Sequence, residues 1–263
     1  MIRIVGVLAA ACLALAGCAT SVPSTPPPAS DPTPFDLSGT AWRATSVGGQ
    51  QVPAEDPPFI EFDWLGRPDG YGFTGCDQFG FEATIQGDQM SVGDLMRPPG
   101  SCGGPKGQVE ELFLAAFQVT QTWSVDGDRL TLAGARGPIV LARDLPPSGD
   151  PGRQLADALT DGEWRVVDAP GVVGLAGLPP VLFTDTRFIA VGGCGFSGGV
   201  RFGSGGAFDI DEVGWDVAGG CDGGPNDGRL ALKRLLEAVT MGRPGPEGTI
   251  VLSGPEGEVV LGR

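Results

Sequence analysis

The sequence contains no histidine. This absence excludes every mechanism that needs an imidazole, including a serine–histidine–aspartate triad, a cysteine–histidine pair and a metal centre held by histidine. Lysine is scarce as well and occurs only as Lys106 and Lys233. The chemistry that remains open is that of carboxylates and of these two lysines.

Positive charge is also scarce. The chain has 17 basic residues against 32 acidic ones, which gives a net charge of −15. A strongly acidic surface repels the phosphates of nucleic acids and the headgroups of anionic lipids. We therefore expect no nucleic acid among its partners, and no electrostatic docking to a membrane.

The first apolar run, Ile4–Ala16, is too short to span a bilayer, which needs roughly 20 apolar residues. It follows a single basic residue, Arg3, and small residues come after it. This pattern is typical of a secretory signal. We interpret residues 1–17 as a signal peptide.

The segment Leu15–Cys18 resembles the bacterial lipobox, in which a peptidase cuts before a cysteine that carries a diacylglyceryl group and a further acyl chain such as palmitate. The resemblance predicts lipidation of Cys18 and attachment to the extracytoplasmic face of the cell membrane. Two or three chains anchor firmly, because each buried methylene contributes about 0.8 kcal/mol. The alternative is an ordinary signal peptide with a chance cysteine at the cut.

Residues 18–35 are rich in proline, serine and threonine, with prolines at positions 23, 26, 27, 28, 32 and 34. Such a composition cannot form a packed core and favours an extended, partly polyproline II chain. We expect this segment to be a semi-rigid spacer that holds the folded part away from the membrane.

The rest of the chain contains an internal repeat. Leu130–Arg143 matches Ile250–Arg263 at an offset of 120 residues. Upstream, both halves contain a tryptophan, a glycine–cysteine pair and a second cysteine in the same order. We predict two copies of one domain, over residues 36–143 and 160–263. The join, 144–159, is rich in proline and glycine and is expected to be an exposed linker.

Each copy is expected to consist of short strands around one helix. The strand Phe59–Trp64 places Ile60 and Phe62 on one face and Glu61 and Asp63 on the other, which is the period of a half-buried strand. The fold class predicted is therefore mainly β with one helix per domain, arranged as two tandem small antiparallel β-barrel-like domains.

The two helices are predicted from apolar stripes, which we interpret as core. Asp227 is the expected N-cap of the second helix. The stripe residues are Val109, Leu112, Phe113, Ala116 and Phe117 in the first copy, and Leu232, Leu235, Leu236 and Val239 in the second.

Four further cysteines lie in the two copies. In an exported chain they are expected to form disulfides, and the repeat selects Cys76–Cys102 and Cys194–Cys221 among the three possible pairings. Each bond would close a loop worth about 3.5 kcal/mol in the chain-entropy model. The alternative, a four-thiolate zinc site, is disfavoured because no two of these cysteines are close in sequence.

Together these motifs resemble the META domain family, which includes the HslJ-type heat-shock lipoproteins. The first copy shows Gly39–Trp42, Gly75–Phe79 and Glu110–Phe113, whereas the second keeps only Gly162–Trp164 and Gly193–Phe196. The resemblance implies a barrel-like fold with one helix, a place in the cell envelope and a role in stress or antibiotic tolerance. It implies no known reaction.

The family usually has asparagine after the first cysteine, where this chain has Asp77 and Gly195. A role of that position in a turn is therefore expected, since aspartate and glycine both suit turns.

Other polar groups have structural interpretations. Glu110 and Glu111 are expected at a helix start, and Asp209 and Asp211 on one solvated strand face. Asp222, Asn226 and Asp227 could bind calcium, but their spacing differs from that of an EF-hand loop and favours a polar turn. No catalytic residue, metal or cofactor is predicted.

Two classes of function follow. The first is a non-enzymatic envelope protein that binds another protein or supports envelope integrity. The second is a carrier of small ligands in a barrel interior or in the cleft between the domains. A carrier needs an open apolar cavity, whereas a binding module has its barrel filled by Trp42, Phe62, Phe79 and the helix stripe.

Overall fold

The computed structural model describes residues 36–62, 69–98, 102–190, 195–215 and 227–263. Residues Phe35–Arg263 form one unit, whose described residues contain two sheets and three α-helices. No helix in these described stretches is long and apolar enough to cross a membrane.

The first sheet is antiparallel and curls until it nearly closes. Its strand order is β5-β4-β3-β1-β10-β9-β8-β7-β6, and β2 pairs with the outer end of β1. At the end strand β5, Gly80 pairs with Met96, and the amide of each residue donates to the carbonyl of the other, at 2.7 and 2.9 Å. The elements are β1 Ala41–Val47, β2 Gln50–Gln51, β3 Phe59–Phe62, β4 Gly70–Phe73, β5 Gln78–Phe81, β6 Ala83–Gln86, β7 Gln89–Val92, α1 Gly104–Phe117, β8 Thr120–Asp126, β9 Arg129–Gly134 and β10 Ile139–Arg143.

The second sheet repeats this plan with the order β15-β14-β13-β12-β11-β18-β17-β16. Its two edges meet where the Phe208 amide donates to the Thr240 carbonyl at 3.0 Å. The elements are α2 Pro151–Thr160, β11 Glu163–Asp168, β12 Val181–Phe183, β13 Arg187–Ala190, β14 Phe196–Phe202, β15 Phe208–Trp215, α3 Asp227–Glu237, β16 Met241–Pro244, β17 Ile250–Gly254 and β18 Gly257–Gly262.

Both sheets pair their first strand with their last, β1 with β10 and β11 with β18. The register of each pair shifts just after Ala44 and Val166, two residues beyond the repeated tryptophans Trp42 and Trp164. This shared irregularity supports a second copy of the same domain. The predicted fold class, two tandem antiparallel barrel-like domains, is confirmed.

Aromatic side chains fill the interior of the first sheet. Phe79 lies 6.1 Å from Phe113 and 5.9 Å from Phe117 between ring centroids, and the Phe113 and Phe117 rings stack at 5.8 Å. Trp42 and Phe62 belong to the same buried cluster. The second sheet encloses a separate cluster built around Trp164, Phe188, Phe196 and Phe208.

Helix α1 buries Phe113, Ala116 and Phe117 of its predicted stripe but leaves Leu112 outside the core. Leu112 is 43% exposed, whereas Glu110 and Leu114 are buried. Successive residues of a helix point about 100° apart, so the arc that covers the barrel runs through positions 110, 113, 114 and 117 and leaves 112 outside. In the second copy the predicted stripe from Leu232 to Val239 is buried throughout.

The predicted exposed linker, 144–159, is wrong in its second half. Residues from Pro151 onward form α2, whose Leu155 and Leu159 are fully buried in the second core. The Asp150 carboxylate caps this helix by accepting a hydrogen bond from the Gly152 amide at 2.7 Å. The second domain therefore has two helices, because its own core recruits the end of the join.

Candidate functional site

Asp185 joins the two domains. It lies in the turn between β12 and β13 and is 2% exposed. The Arg143 guanidinium donates two hydrogen bonds to its carboxylate, from Nε at 2.8 Å and from Nη2 at 2.9 Å. The Ala41 amide donates to the same carboxylate at 3.3 Å, and the Asp185 amide donates to the Gly39 carbonyl at 3.0 Å. We call these contacts the Asp185 clamp.

A second ion pair links the domains through α2. The Arg153 guanidinium lies 2.7 Å from the Asp128 carboxylate in the turn between β8 and β9, and 2.8 Å from Asp157 on its own helix. The Arg153 side chain is only 11% exposed, so these pairs are better shielded from water than ordinary surface pairs. Helix α2, which the sequence analysis did not predict, thus contacts the first domain through Arg153 and also packs in the core of the second.

Glu61 lies beside the clamp, in a cleft between the domains. The Tyr71 hydroxyl donates a hydrogen bond to the Glu61 carboxylate, and Thr186 and Arg187 of the second domain face it. Burial raises the pKa of Glu61, although these neighbours partly oppose the shift, and burial together with Glu61 raises the pKa of Tyr71. The prediction of a solvated face at Glu61 is wrong, because the second domain covers that face of β3.

The cleft has two openings, both lined by Glu61 and Arg187. One has a volume of about 500 Å³ and is also lined by Tyr71, Asp69 and Glu82. The other has a volume of about 270 Å³. Both contain charged groups of each sign, so the cleft suits a polar ligand better than an apolar one.

Asp211 lines the smaller opening, and Asp209 lies two residues before it on β15. Both side chains are more than half exposed, and Arg201 lies 3.9 and 3.8 Å from their carboxylates. They share one face of β15, as their alternation predicts. This is a solvated ion-pair network in which one arginine faces two carboxylates.

A wider groove lies on the first domain, beside α1. Its volume is about 1040 Å³, and its lining includes Leu112, Leu114 and Leu95. The charged residues of its lining are Arg97, Arg136, Asp94 and Glu111. The exposed Leu112 is the part of the predicted core stripe that the barrel leaves outside.

The disulfide joins Cys76 to Cys102, with 5.8 Å between the Cα atoms. This is the pairing that the repeat predicts for the first copy. Cys76 sits in a tight turn in which the Thr74 hydroxyl accepts hydrogen bonds from the amides of Cys76 and Asp77 at 3.3 and 3.1 Å. The turn role expected for Asp77 is consistent with this geometry.

The same turn needs its glycine. Gly75 has φ +88°, and a Cβ atom there would approach the Asp56 carbonyl oxygen to 2.7 Å. Only glycine fits such a backbone without strain or collision. The Gly-Cys motif is therefore explained by backbone geometry.

A family model now accounts for the first copy. The META domain model matches residues 35–144. These residues form a META domain. The second sheet, with the same strand plan and the same irregular first pair, supports a second copy of the META domain behind it.

Solved structures resemble single META-sized parts of the chain. An NMR structure of a protein from Burkholderia xenovorans is 22% identical, covers 46% of this chain and 98% of its own, and has a TM-score of 0.36. Another NMR structure is 20% identical, covers 42% of this chain and 93% of its own, and also has a TM-score of 0.36. No curated protein matches the chain.

Several predicted site residues lie outside the described residues, so their predictions stay predictions. Asp227 is the first residue of α3, and its side chain is not among those described. The others are Cys18, Cys194, Cys221, Asp222 and Asn226.

The sequence did not predict the contacts between the META domain and its second copy. Arg143 ends the repeated segment Leu130–Arg143, but Asp185 lies in no motif and in the other copy, so neither the repeat nor local periodicity pairs them. The position of Glu61 is only weak evidence of a site, because an acidic residue between apolar strand residues is also typical of a strand with one solvated face.

Proposed function

We propose that the protein is a lipid-anchored lipoprotein of the cell envelope whose two domains act as one rigid, non-enzymatic module that binds another envelope protein. The observation that carries the proposal is the filled interior of the first barrel. The rings of Phe79, Phe113 and Phe117 occupy the space in which a carrier would hold an apolar ligand. A partner would therefore be bound by the outer surface of the domains.

The groove beside α1 is the surface that supports protein binding best. It combines an exposed leucine, Leu112, with the charges of Arg97 and Arg136 in its lining. Apolar residues at the centre and arginine near the edge are typical of protein contact sites. The clamp and the Arg153 pair stabilise the arrangement of the domains, so that such a surface is presented without a large loss of conformational entropy.

Photo-crosslinking in living cells tests this proposal. A photoreactive amino acid replaces Leu112 in the groove, and in a matched strain it replaces Val173, an exposed apolar residue of the second domain. We expect one discrete crosslinked protein from position 112 and none from position 173. Equal crosslinking at both positions, or none at 112 when the protein is at normal abundance, would contradict the assignment of the groove.

The lipid anchor is a separate part of the proposal and rests on the apolar run and the motif that ends at Cys18. Metabolic labelling with a palmitate analogue should mark the wild-type chain, and Cys18→Ala should give unlabelled protein that is uncleaved or released from the membrane. Continued normal labelling of Cys18→Ala would refute it. If the module supports envelope integrity, cells that lack the chain should be more sensitive to detergent.

A second candidate function, a carrier of small polar ligands, is supported by the charged cleft between the domains. Arg187 can neutralise an anionic group, while Asp69 and Glu82 can hold a cationic one. Native mass spectrometry of protein purified from its host should then show a bound small molecule that disappears in Arg187→Ala. The same bound mass in both proteins would exclude the cleft.

A further inference from the structure

The Cys76–Cys102 disulfide has a buried acid beside it. Glu110 lies on α1, is 1% exposed, and places a carboxylate oxygen within 4.8 Å of both sulfur atoms. Both cysteines are only partly buried. From the sequence, Glu110 is expected at a helix start, but α1 begins at Gly104, so that Glu110 lies in its second turn and is buried against the disulfide.

Few donors compensate the buried carboxylate of Glu110. The Cys102 amide donates to it at 3.3 Å. The Thr74 hydroxyl has a single proton, and two acceptors lie at the same distance from it, Glu110 Oε1 and the Asp77 carbonyl, both at 3.2 Å. Lys106 lies one helical turn before Glu110 but pairs with Asp56 at 2.8 Å instead. Among the described ion pairs, none involves Glu110.

We propose that reduction of this disulfide creates a zinc site, in which the thiolates of Cys76 and Cys102 and the carboxylate of Glu110 bind Zn²⁺. The proposal goes beyond the proposed binding function and does not depend on it. A buried carboxylate is stabilised when it coordinates a cation. In the oxidised protein the disulfide is neutral and provides no thiolate to bind a cation beside Glu110. The same three groups would thus join the β4–β5 turn to α1 in either redox state.

The chemistry balances with a dithiol as the reductant. The dithiol transfers two electrons and two protons to the disulfide, so that it becomes a disulfide itself and leaves Cys76 and Cys102 as thiols. Zn²⁺ then replaces the two thiol protons, which pass to solvent. Two thiolates and one carboxylate give the occupied site a net charge of −1, and water completes a tetrahedral coordination.

Ligand type selects the metal. Thiolate sulfur prefers zinc over calcium or magnesium, which take oxygen ligands. Tetrahedral zinc needs ligand atoms about 3.5 to 3.8 Å apart, given bond lengths of about 2.3 Å to sulfur and about 2.1 Å to oxygen. A separation of 5.8 Å between the cysteine Cα atoms allows this after modest side-chain rotation. Cys102 also lies next to Gly103, the N-cap residue of α1, and the N-terminal end of a helix favours a thiolate.

Cobalt titration of the reduced full chain tests the site. Cys12, Cys18, Cys194 and Cys221 are replaced by serine, so that Cys76 and Cys102 are the only thiols. After reduction by a phosphine, we expect one Co²⁺ per chain with a thiolate-to-cobalt charge-transfer band, and displacement of Co²⁺ by one equivalent of Zn²⁺. The oxidised protein should show no band.

Two glutamates of the same helix make a matched pair of variants. Glu110→Gln should weaken Zn²⁺ binding at least about tenfold, because even groups that only orient a ligand are worth 10- to 100-fold. Glu111→Gln, a change in an exposed neighbour, should bind as the parent does. Equal affinity in both variants, or no charge-transfer band in the parent, would overturn the proposal. If the reduced chain loses its tryptophan fluorescence signature, Zn²⁺ must restore it, and failure to do so would also overturn the proposal.

Discussion

Removal of the Asp185 carboxylate should destabilise the protein strongly, although this residue lies outside the motifs that the two copies share. Asp185→Ala deletes two hydrogen bonds from Arg143 and one from the Ala41 amide. It leaves Arg143, whose side chain is 15% exposed, without its counter-ion. Removing one partner of a buried pair typically costs about 3–5 kcal/mol. Because Arg143 keeps some contact with water, we expect a loss of about 3 kcal/mol in the free energy of unfolding.

Urea denaturation followed by tryptophan fluorescence measures this loss. The matched control is Arg43→Ala, which breaks the exposed pair Arg43–Asp144 of the first domain and should cost less than about 1 kcal/mol. The double variant Asp185→Ala with Arg143→Ala should lose clearly less than the sum of its single variants, because the two groups form one interaction. A loss below about 1 kcal/mol for Asp185→Ala, or strictly additive losses, would refute the account of the clamp.

Other predictions test the cleft, the turn and the core. Because the pKa of Glu61 is raised in the folded protein, its contribution to stability is fully present below the ordinary glutamate pKa of 4.5 and is lost as pH rises through the folded pKa. Glu61→Gln should therefore be more stable than wild type at neutral pH. In thermal melts this difference should close towards pH 4. Gly75→Ala should cost about 1–3 kcal/mol in the same melts, since φ there is +88°. Phe113→Ala should cost about 3–5 kcal/mol, whereas Leu112→Ala should change stability by less than about 0.5 kcal/mol. A melt in which Leu112→Ala matches Phe113→Ala would show that the assigned helix face is wrong.

Local patterns predicted much of the fold. Alternation identified β3, whose Ile60 and Phe62 are buried, and the repeat identified the plan of two similar domains and the Cys76–Cys102 pairing. These features depend on nearby residues or on comparison of the two copies, and both are visible in a single sequence. Which face of α1 is buried depends instead on how the helix packs against the barrel, and the periodicity of the helix sequence does not determine this.

Contacts between the copies could not be predicted, because each copy resembles the other and carries no mark of its neighbour. Glu61 looked solvated since its strand alternates, yet the second domain covers that face. Helix α2 did carry a signal that was outweighed by the surrounding prolines. Asp150 before Pro151 is a common helix start, and Leu155 and Leu159 are one turn apart.

The pairing of first strand with last also determines how the first domain would respond to force. Trp42 of β1 lies opposite Arg143 of β10, so the chain enters and leaves the domain at one end of the same antiparallel pair. Tension between these two ends opens such a pair like a zipper, one rung at a time, rather than shearing all of its hydrogen bonds together. Asp185 holds that opening rung from both sides, through the Ala41 amide and the Arg143 guanidinium. The second copy therefore serves as a mechanical latch on the first, and a chain pulled at its N-terminal side must break this latch before the sheet can unzip.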